Sequence, residues 1–258
     1  MHRIKFFAEK DQMSAQISHV PGFEGDIFRL NFPESIGPTA AAKWFNTIQC
    51  SWEEIDDAHW EGKGWVEGAL SYAVKVYMLR DCVDFLITLT NDSYEIWEET
   101  LAFNCFNCGS ALSVRDHECK RHWVRTGGEF KRLIEIPREF GPRPALQLYS
   151  VKGAPEGKDI PFVRNFRSTP ENVAVEGWMA IRSRDDRRMV AVVSKPALFT
   201  FQNREYSCIH SAPGFGALKP GESGSALTRV YFVEATLEDW YHRMSSEFET
   251  IDPENYSP

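Results

Sequence analysis

Val83-Asp84-Phe85-Leu86-Ile87-Thr88-Leu89-Thr90 runs straight into Asn91-Asp92-Ser93. The apolar side chains at 83, 85, 87 and 89 recur at every second residue, so in an extended chain they share one face. The three residues that follow carry short polar side chains able to bond their own backbone and close a turn. The stretch therefore predicts a half-buried antiparallel strand that ends in a turn.

Comparable runs lie on both sides of it. Gly25–Phe32 and Leu70–Leu79 come before, the second with Tyr72, Val74 and Val76 on one side. After it come Glu98–Phe106, Leu146–Val151, Trp178–Ile181, Met189–Val193 and Leu198–Phe201. Lys219-Pro220-Gly221-Glu222-Ser223 is a Pro-Gly turn that introduces a last strand over Ala226–Val233. Many short strands separated by Gly, Pro and Asn clusters predict an all-β antiparallel β-sandwich.

One helix is predicted, over about residues 236–249. Thr236 can cap it with Asp239 three residues on, Glu238 and Asp239 suit the positive end of the dipole, and Leu237, Trp240, Tyr241, Met244 and Phe248 repeat at helical spacing. That stripe should lie on the sandwich. A short helical turn is expected within Pro38–Phe45, and a long irregular loop between about Gly153 and Asn172. There is no internal repeat and no linker-like segment, so residues 1–258 are expected to form a single domain.

The composition narrows the classes. Against 37 Asp and Glu stand 29 Lys and Arg, a formal net charge of −8, which makes nucleic acid and anionic membranes unexpected partners. No stretch approaches the ~20 apolar residues of a spanning helix. Residues 1–11 hold no continuous apolar run, and six scattered cysteines are too sparse for a disulfide framework, so a cytoplasmic chain with reduced thiols is the expectation. The G-x-S-x-G, G-x-x-x-x-G-K-[ST], H-E-x-x-H and G-x-G-x-x-G patterns do not occur, so α/β-hydrolase, P-loop and nicotinamide chemistry are set aside.

Three groups of residues are candidates for chemistry. Cys105, Cys108, His117, Cys119 and His122 are zinc-type donors, of which a closed tetrahedral site needs four. If Phe103–Cys108 is extended, however, Cys105 and Cys108 point to opposite faces and the cysteines are merely small apolar residues. A weaker variant combines His117 and His122 with His210. In the second group, Tyr206, Cys208 and His210 would share a face of an extended stretch, a phenol and an imidazole placed for acid and base work. Glu222 is the nearest carboxylate downstream. It either faces solvent in its turn or folds back to assist the histidine. The third group, Asn104, Asn107, Trp123, Arg125, Arg164 and Trp178, offers the planar donors and aromatic faces that sugars need, or else belongs in part to the core.

Several of these stretches together carry a resemblance: Thr88–Asn91, Trp97, Phe103-Asn104-Cys105, Tyr206–His210, Leu218–Glu222 and Val230–Glu234. Over roughly residues 70–245 the chain resembles a group of bacterial β-sandwich proteins and, more loosely, the galactose mutarotase-like supersandwich family. The resemblance implies a histidine acid, for which His210 is the match, and a glutamate base, for which Glu222 stands in a different local pattern. Polysaccharide lyases with related sandwiches would use a tyrosine and histidine, matched by Tyr206 and His210 in residue type only.

The leading expectation is a carbohydrate-directed sandwich acting on a small or oligomeric sugar. It would be a mutarotase-like isomerase or a carbon–oxygen lyase working by proton transfer without an organic cofactor. A non-catalytic carbohydrate-binding or assembly module, and a sandwich with a structural zinc site, are the alternatives. The apolar surface and edge strands of such a sandwich would also suit a homodimer.

Overall fold

The structure is a computed structural model that describes residues 4–9, 14–41, 49–137, 145–155 and 173–258. In chain order its strands are β1 (Lys5–Ala8), β2 (Ser14–Ser18), β3 (Phe28–Pro38), β4 (Gln49–Asp56), β5 (His59–Val66) and β6 (Leu70–Met78). Then come β7 (Cys82–Asn91), β8 (Trp97–Asn107), β9 (His122–Thr126), β10 (Glu129–Arg132), β11 (Leu146–Val151) and β12 (Ala174–Val175). The set closes with β13 (Trp178–Arg182), β14 (Met189–Lys195), β15 (Ala197–Asn203), β16 (Cys208–Leu218) and β17 (Ser223–Val233), followed by the helix α1 (Leu237–Glu247).

The register joins these strands into two halves. One half runs β1-β2-β3-β8-β16-β15-β11. The other runs β10-β9-β13-β14-β17-β7-β6-β5-β4. The short strand β12 links them, parallel to β11 and antiparallel to β9. Every other pairing is antiparallel, and β16 lies across β14 and β17 in the opposite half. This is the predicted all-β sandwich.

The main core fills the space between the halves. Val74, Val76, Phe85 and Ile87 come from one side and Phe28, Phe106 and Ile209 from the other. Burying each such side chain contributes about 1.5–3 kcal/mol. The predicted turn forms after β7, where Asn91 donates through Nδ2 to the carbonyls of Glu95 (2.8 Å) and Leu218 (2.9 Å), and its Oδ1 accepts from the Ser93 amide (3.0 Å).

One expectation for β7 needs correction. From Cys82 to Ile87 the strand is buried on both faces, because Leu86 and Cys82 lie in a second apolar cluster with Leu237, Trp240, Met244 and Phe248 of the C-terminal segment. The helix forms as predicted, with Thr236 Oγ1 accepting from the Asp239 amide at 3.1 Å. The turn expected near Pro38 is a 3₁₀ turn at Thr39–Ala41, its remainder lying outside the described residues, as does nearly all of the 153–172 loop.

Candidate functional site

A third apolar cluster covers the outer face of the half containing β8, β16, β15 and β11, and includes Leu101, Phe103, Phe199 and Phe201. Strand parity decides what joins it. On β8, Ala102 and Phe106 belong to the inner core, so Phe103, Cys105 and Asn107 face outward. On β16, Ile209 faces inward and Cys208 and His210 outward. Where this outer face meets β3, the β3–β8 register shifts between Asn31 and Ser35, which takes Glu34 out of the regular ladder and re-aims it.

These residues enclose a cleft of about 450 Å³. Its polar lining is Asn31, Glu34, Asn107, Asn203, Tyr206 and His210, with the thiols of Cys105 and Cys208. His210 is 2% exposed. Its Nδ1–H donates to the carbonyl of Phe201 at 3.0 Å, and its ring stacks on Phe103 with centroids 4.7 Å apart. The Cys105 thiol donates to Cys208 Sγ at 3.5 Å. That bond, together with burial, raises the Cys105 pKa well above the ordinary thiol value. Burial also raises the Glu34 carboxyl above its usual range, against the opposing effect of a hydrogen bond to Cys105.

The residues proposed from sequence are dispersed by the fold. His210, Tyr206 and Asn107 do line the cleft. Tyr206 is not on a strand, however: residues 204–207 form the β15–β16 turn and leave it 56% exposed at the rim, so only Cys208 and His210 keep the shared face. Glu222 is not part of the cleft lining. It sits beyond the far end of β16, roughly 25 Å from His210 at strand rise, accepts from the Lys219 amide (2.9 Å) and pairs with its ammonium (3.4 Å). The Lys219 amide, against the weaker pull of desolvation, holds the Glu222 pKa below the ordinary carboxylate value.

Asn104 points inward, fully buried, and donates to Thr228 Oγ1 at 3.0 Å, since it has the opposite parity to Cys105. Trp123, Arg125 and Trp178 belong to the other half, beneath α1. Trp178 is 1% exposed, and Arg125 bonds Glu176 (2.7 Å) and the Tyr241 hydroxyl (2.8 Å). Arg132 lies over the half-buried Trp123 ring, 6.0 Å from its centroid. A second depression, of about 670 Å³, is lined there by Trp178, Tyr241, Met244 and Phe248. Arg164 lies outside the described residues.

The five-residue zinc set does not assemble as drawn. Cys108 is fully buried in the main core, Cys119 donates to Gln202 Oε1 at 3.0 Å, the surface residue His117 donates from Nδ1 to the Arg204 carbonyl at 2.7 Å, and buried His122 pairs with Asp116 at 3.0 Å. Among the described residues, the cluster able to hold a metal is instead Cys105, Cys208 and His210. Sequence reasoning missed Glu34, Asn31 and Asn203. Asn203 stands just before the Tyr206–His210 stretch that was read as extended, and the turn at 204–207 that places it was not foreseen; Glu34 is placed by a bulge with no local signal.

No family model matches the chain, and no curated protein does. Among solved structures, the α-N-acetylgalactosaminidase NagBb from Bifidobacterium bifidum is similar at TM-score 0.56 and 10% identity, over 96% of this chain and 38% of that one. A galactose mutarotase-like protein from Lactobacillus casei is similar at TM-score 0.48 and 9% identity, over 89% of this chain and 100% of that one. Another from Clostridium acetobutylicum is similar at TM-score 0.46 and 9% identity, over 90% of this chain and 99% of that one. The chain thus spans well under half of NagBb, and the likeness is one of fold. No helix among the described residues is long and apolar enough to cross a membrane.

Proposed function

We propose that the chain is a carbohydrate-directed β-sandwich whose cleft on β3, β8, β15 and β16 takes a small saccharide. The observation that carries this reading is the lining itself: three carboxamides, Asn31, Asn107 and Asn203, converge around the cleft with the exposed ring of Tyr206 at its rim. Asn31, Asn107 and Asn203 already accept through Oδ1 from Ser14, Gly109 and Glu205, so what each offers a sugar hydroxyl is chiefly its Nδ2 donor. An exposed phenol ring suits the C–H face of a pyranose. The volume, about 450 Å³, suits one or two sugar rings and lies within the usual range of ligand sites. The fold likeness to a glycosidase points the same way.

Proton transfer, as a mutarotase-like isomerase or a lyase would need it, falls in this reading to His210 and Glu34 rather than to Glu222. Non-catalytic binding is the second reading. It is favoured by the near-complete burial of His210 and by the commitment of its Nδ1–H to a backbone carbonyl.

Calorimetric titration with a panel of neutral, N-acetylated and acidic monosaccharides tests the proposal. Binding that weakens about tenfold or more in Asn203→Ala and Asn107→Ala is the expected result. No binding across the panel, or binding indifferent to both substitutions, overturns it. Polarimetry of anomer interconversion with Glu34→Gln then separates an enzyme from a module, since a module has no turnover to lose.

A further inference from the structure

We infer that Cys105, Cys208 and His210 form a metal site in the wall of the cleft, suited to zinc. The three ligand atoms, one from each residue, all lie within 4.8 Å of one another. In a tetrahedral site with Zn–S bonds of about 2.3 Å, two sulfurs stand about 3.8 Å apart. Here Cys105 and Cys208 Sγ are 3.5 Å apart before any ion draws on them. Thiolates together with imidazole are the donor set that selects zinc over magnesium or calcium.

The imidazole is set up for the same task. With Nδ1–H given to the Phe201 carbonyl at 3.0 Å, the neutral ring keeps its lone pair on Nε2, and the backbone carbonyl is a usual outer partner of a metal-bound histidine. Phe103, stacked face to face at 4.7 Å, and Phe201, edge-on at 5.1 Å, hold the ring plane. Backbone pairing fixes the ligands further. Register places Ile209 opposite Phe106 and Cys208 opposite Asn107, so His210 falls beside Cys105 and Cys208 lies on the diagonal of the same face.

Three donors leave a fourth position for water or a ligand; Glu34 lines the same cleft but stands outside the three-residue cluster. Coordination would release the two thiol protons to solvent. This set shares only Cys105 with the one suggested by the Cys-x-x-Cys spacing. It does not depend on the sugar reading, because a chain that binds metal and no sugar still has this site. A metal on Nε2, however, takes the atom that proton transfer by His210 would use, so those two roles exclude each other.

The test is titration of the reduced, metal-stripped protein with cobalt(II) alone, followed by zinc competition and elemental analysis. The expected result is one equivalent of cobalt, with tetrahedral visible absorption and a thiolate-to-cobalt charge-transfer band, both displaced by zinc. Cys105→Ser and Cys208→Ser should each weaken cobalt binding at least 100-fold. His117→Ala and Cys108→Ala should leave stoichiometry and spectrum unchanged. A wild-type protein that gives no charge-transfer band overturns the inference without reference to any variant. So does one in which the band persists in both serine variants, or one in which peptide mapping of the reduced, folded sample still finds Cys105 and Cys208 joined as a disulfide.

Discussion

Replacing Asp84 by Asn keeps the size of the side chain and removes its charge, at a place where the fold can least accommodate the loss. Asp84 is fully buried and accepts from Arg229 at both oxygens, Nε to Oδ1 at 2.5 Å and Nη2 to Oδ2 at 2.7 Å. The Tyr256 hydroxyl donates to the same carboxylate. Arg229, only 6% exposed, is sandwiched between the rings of Phe248 (5.4 Å) and Tyr231 (5.6 Å). Burial alone would push its proton off, and the hydrogen bond and charge of Asp84 more than reverse this, so its pKa is raised. In Asp84→Asn the guanidinium stays charged and buried without a counter-ion, which costs about 3–5 kcal/mol. For a chain of this size each kcal/mol lowers Tm by about 2–4 °C, so a drop of roughly 6–20 °C is expected in calorimetry. Removing both charges, as Asp84→Leu with Arg229→Met, should cost less than Asp84→Asn alone, since no stranded ion remains. If Asp84→Asn costs under about 1 kcal/mol in urea unfolding, or the double variant costs the sum of its singles, the pair is not the buried anchor described here.

Two further perturbations follow from the geometry. Burial raises the Asp116 carboxyl, but hydrogen bonds and charge from His122 and Arg121 outweigh it and bring the pKa down to about 2. A carboxylate depressed in the folded state contributes stability that is full above its unfolded pKa, near 4, and is lost as pH falls through about 2. After allowance for solvent screening this is about 1–2 kcal/mol, so Asp116→Asn should flatten the acid limb of the stability profile, and an unchanged limb would assign it elsewhere. Gly64 lies opposite Tyr72 in the β5–β6 ladder, and a Cβ added there would stand far inside contact distance of the edge and hydroxyl of the buried Tyr72 ring. Gly64→Ala should therefore cost about 1–3 kcal/mol by overpacking, read as a lower Tm, and a Tm unchanged within about 1 °C would show that the ring can give way.

Most of the fold was legible because alternation and turn chemistry are local. Val83–Thr90 with Asn91–Ser93, and Thr236 with the 237–248 stripe, carry their own instructions, and both elements form where those instructions place them. What local pattern could not supply is which strands are covered on both faces. Thr88 and Thr90 of β7 do stay half-exposed, yet the outer side at Cys82 and Leu86 is covered by a helix about 150 residues later in the chain.

The candidate site was only partly legible, for a reason of parity. Asn104 and Asn107 look equivalent in sequence, as do Cys105 and Cys108, but residues an odd number apart on one strand cannot face the same cavity. Once β8 is known to run unbroken from Trp97 to Asn107, Asn104 must go to the Thr228 side and Cys105 to the cleft, and Cys108, just past the strand end, turns into the core. The same rule applied to Cys208 and His210, two residues apart, keeps them together, and a hairpin with β15 brings Asn203 to the same rim. Glu34 escapes the rule because it sits where β3 slips register against β8. The contents of this cleft are therefore set by two strands whose parity can be read from sequence and by one bulge whose position cannot. That is why the histidine could be named in advance and the carboxylate that lines its cleft could not.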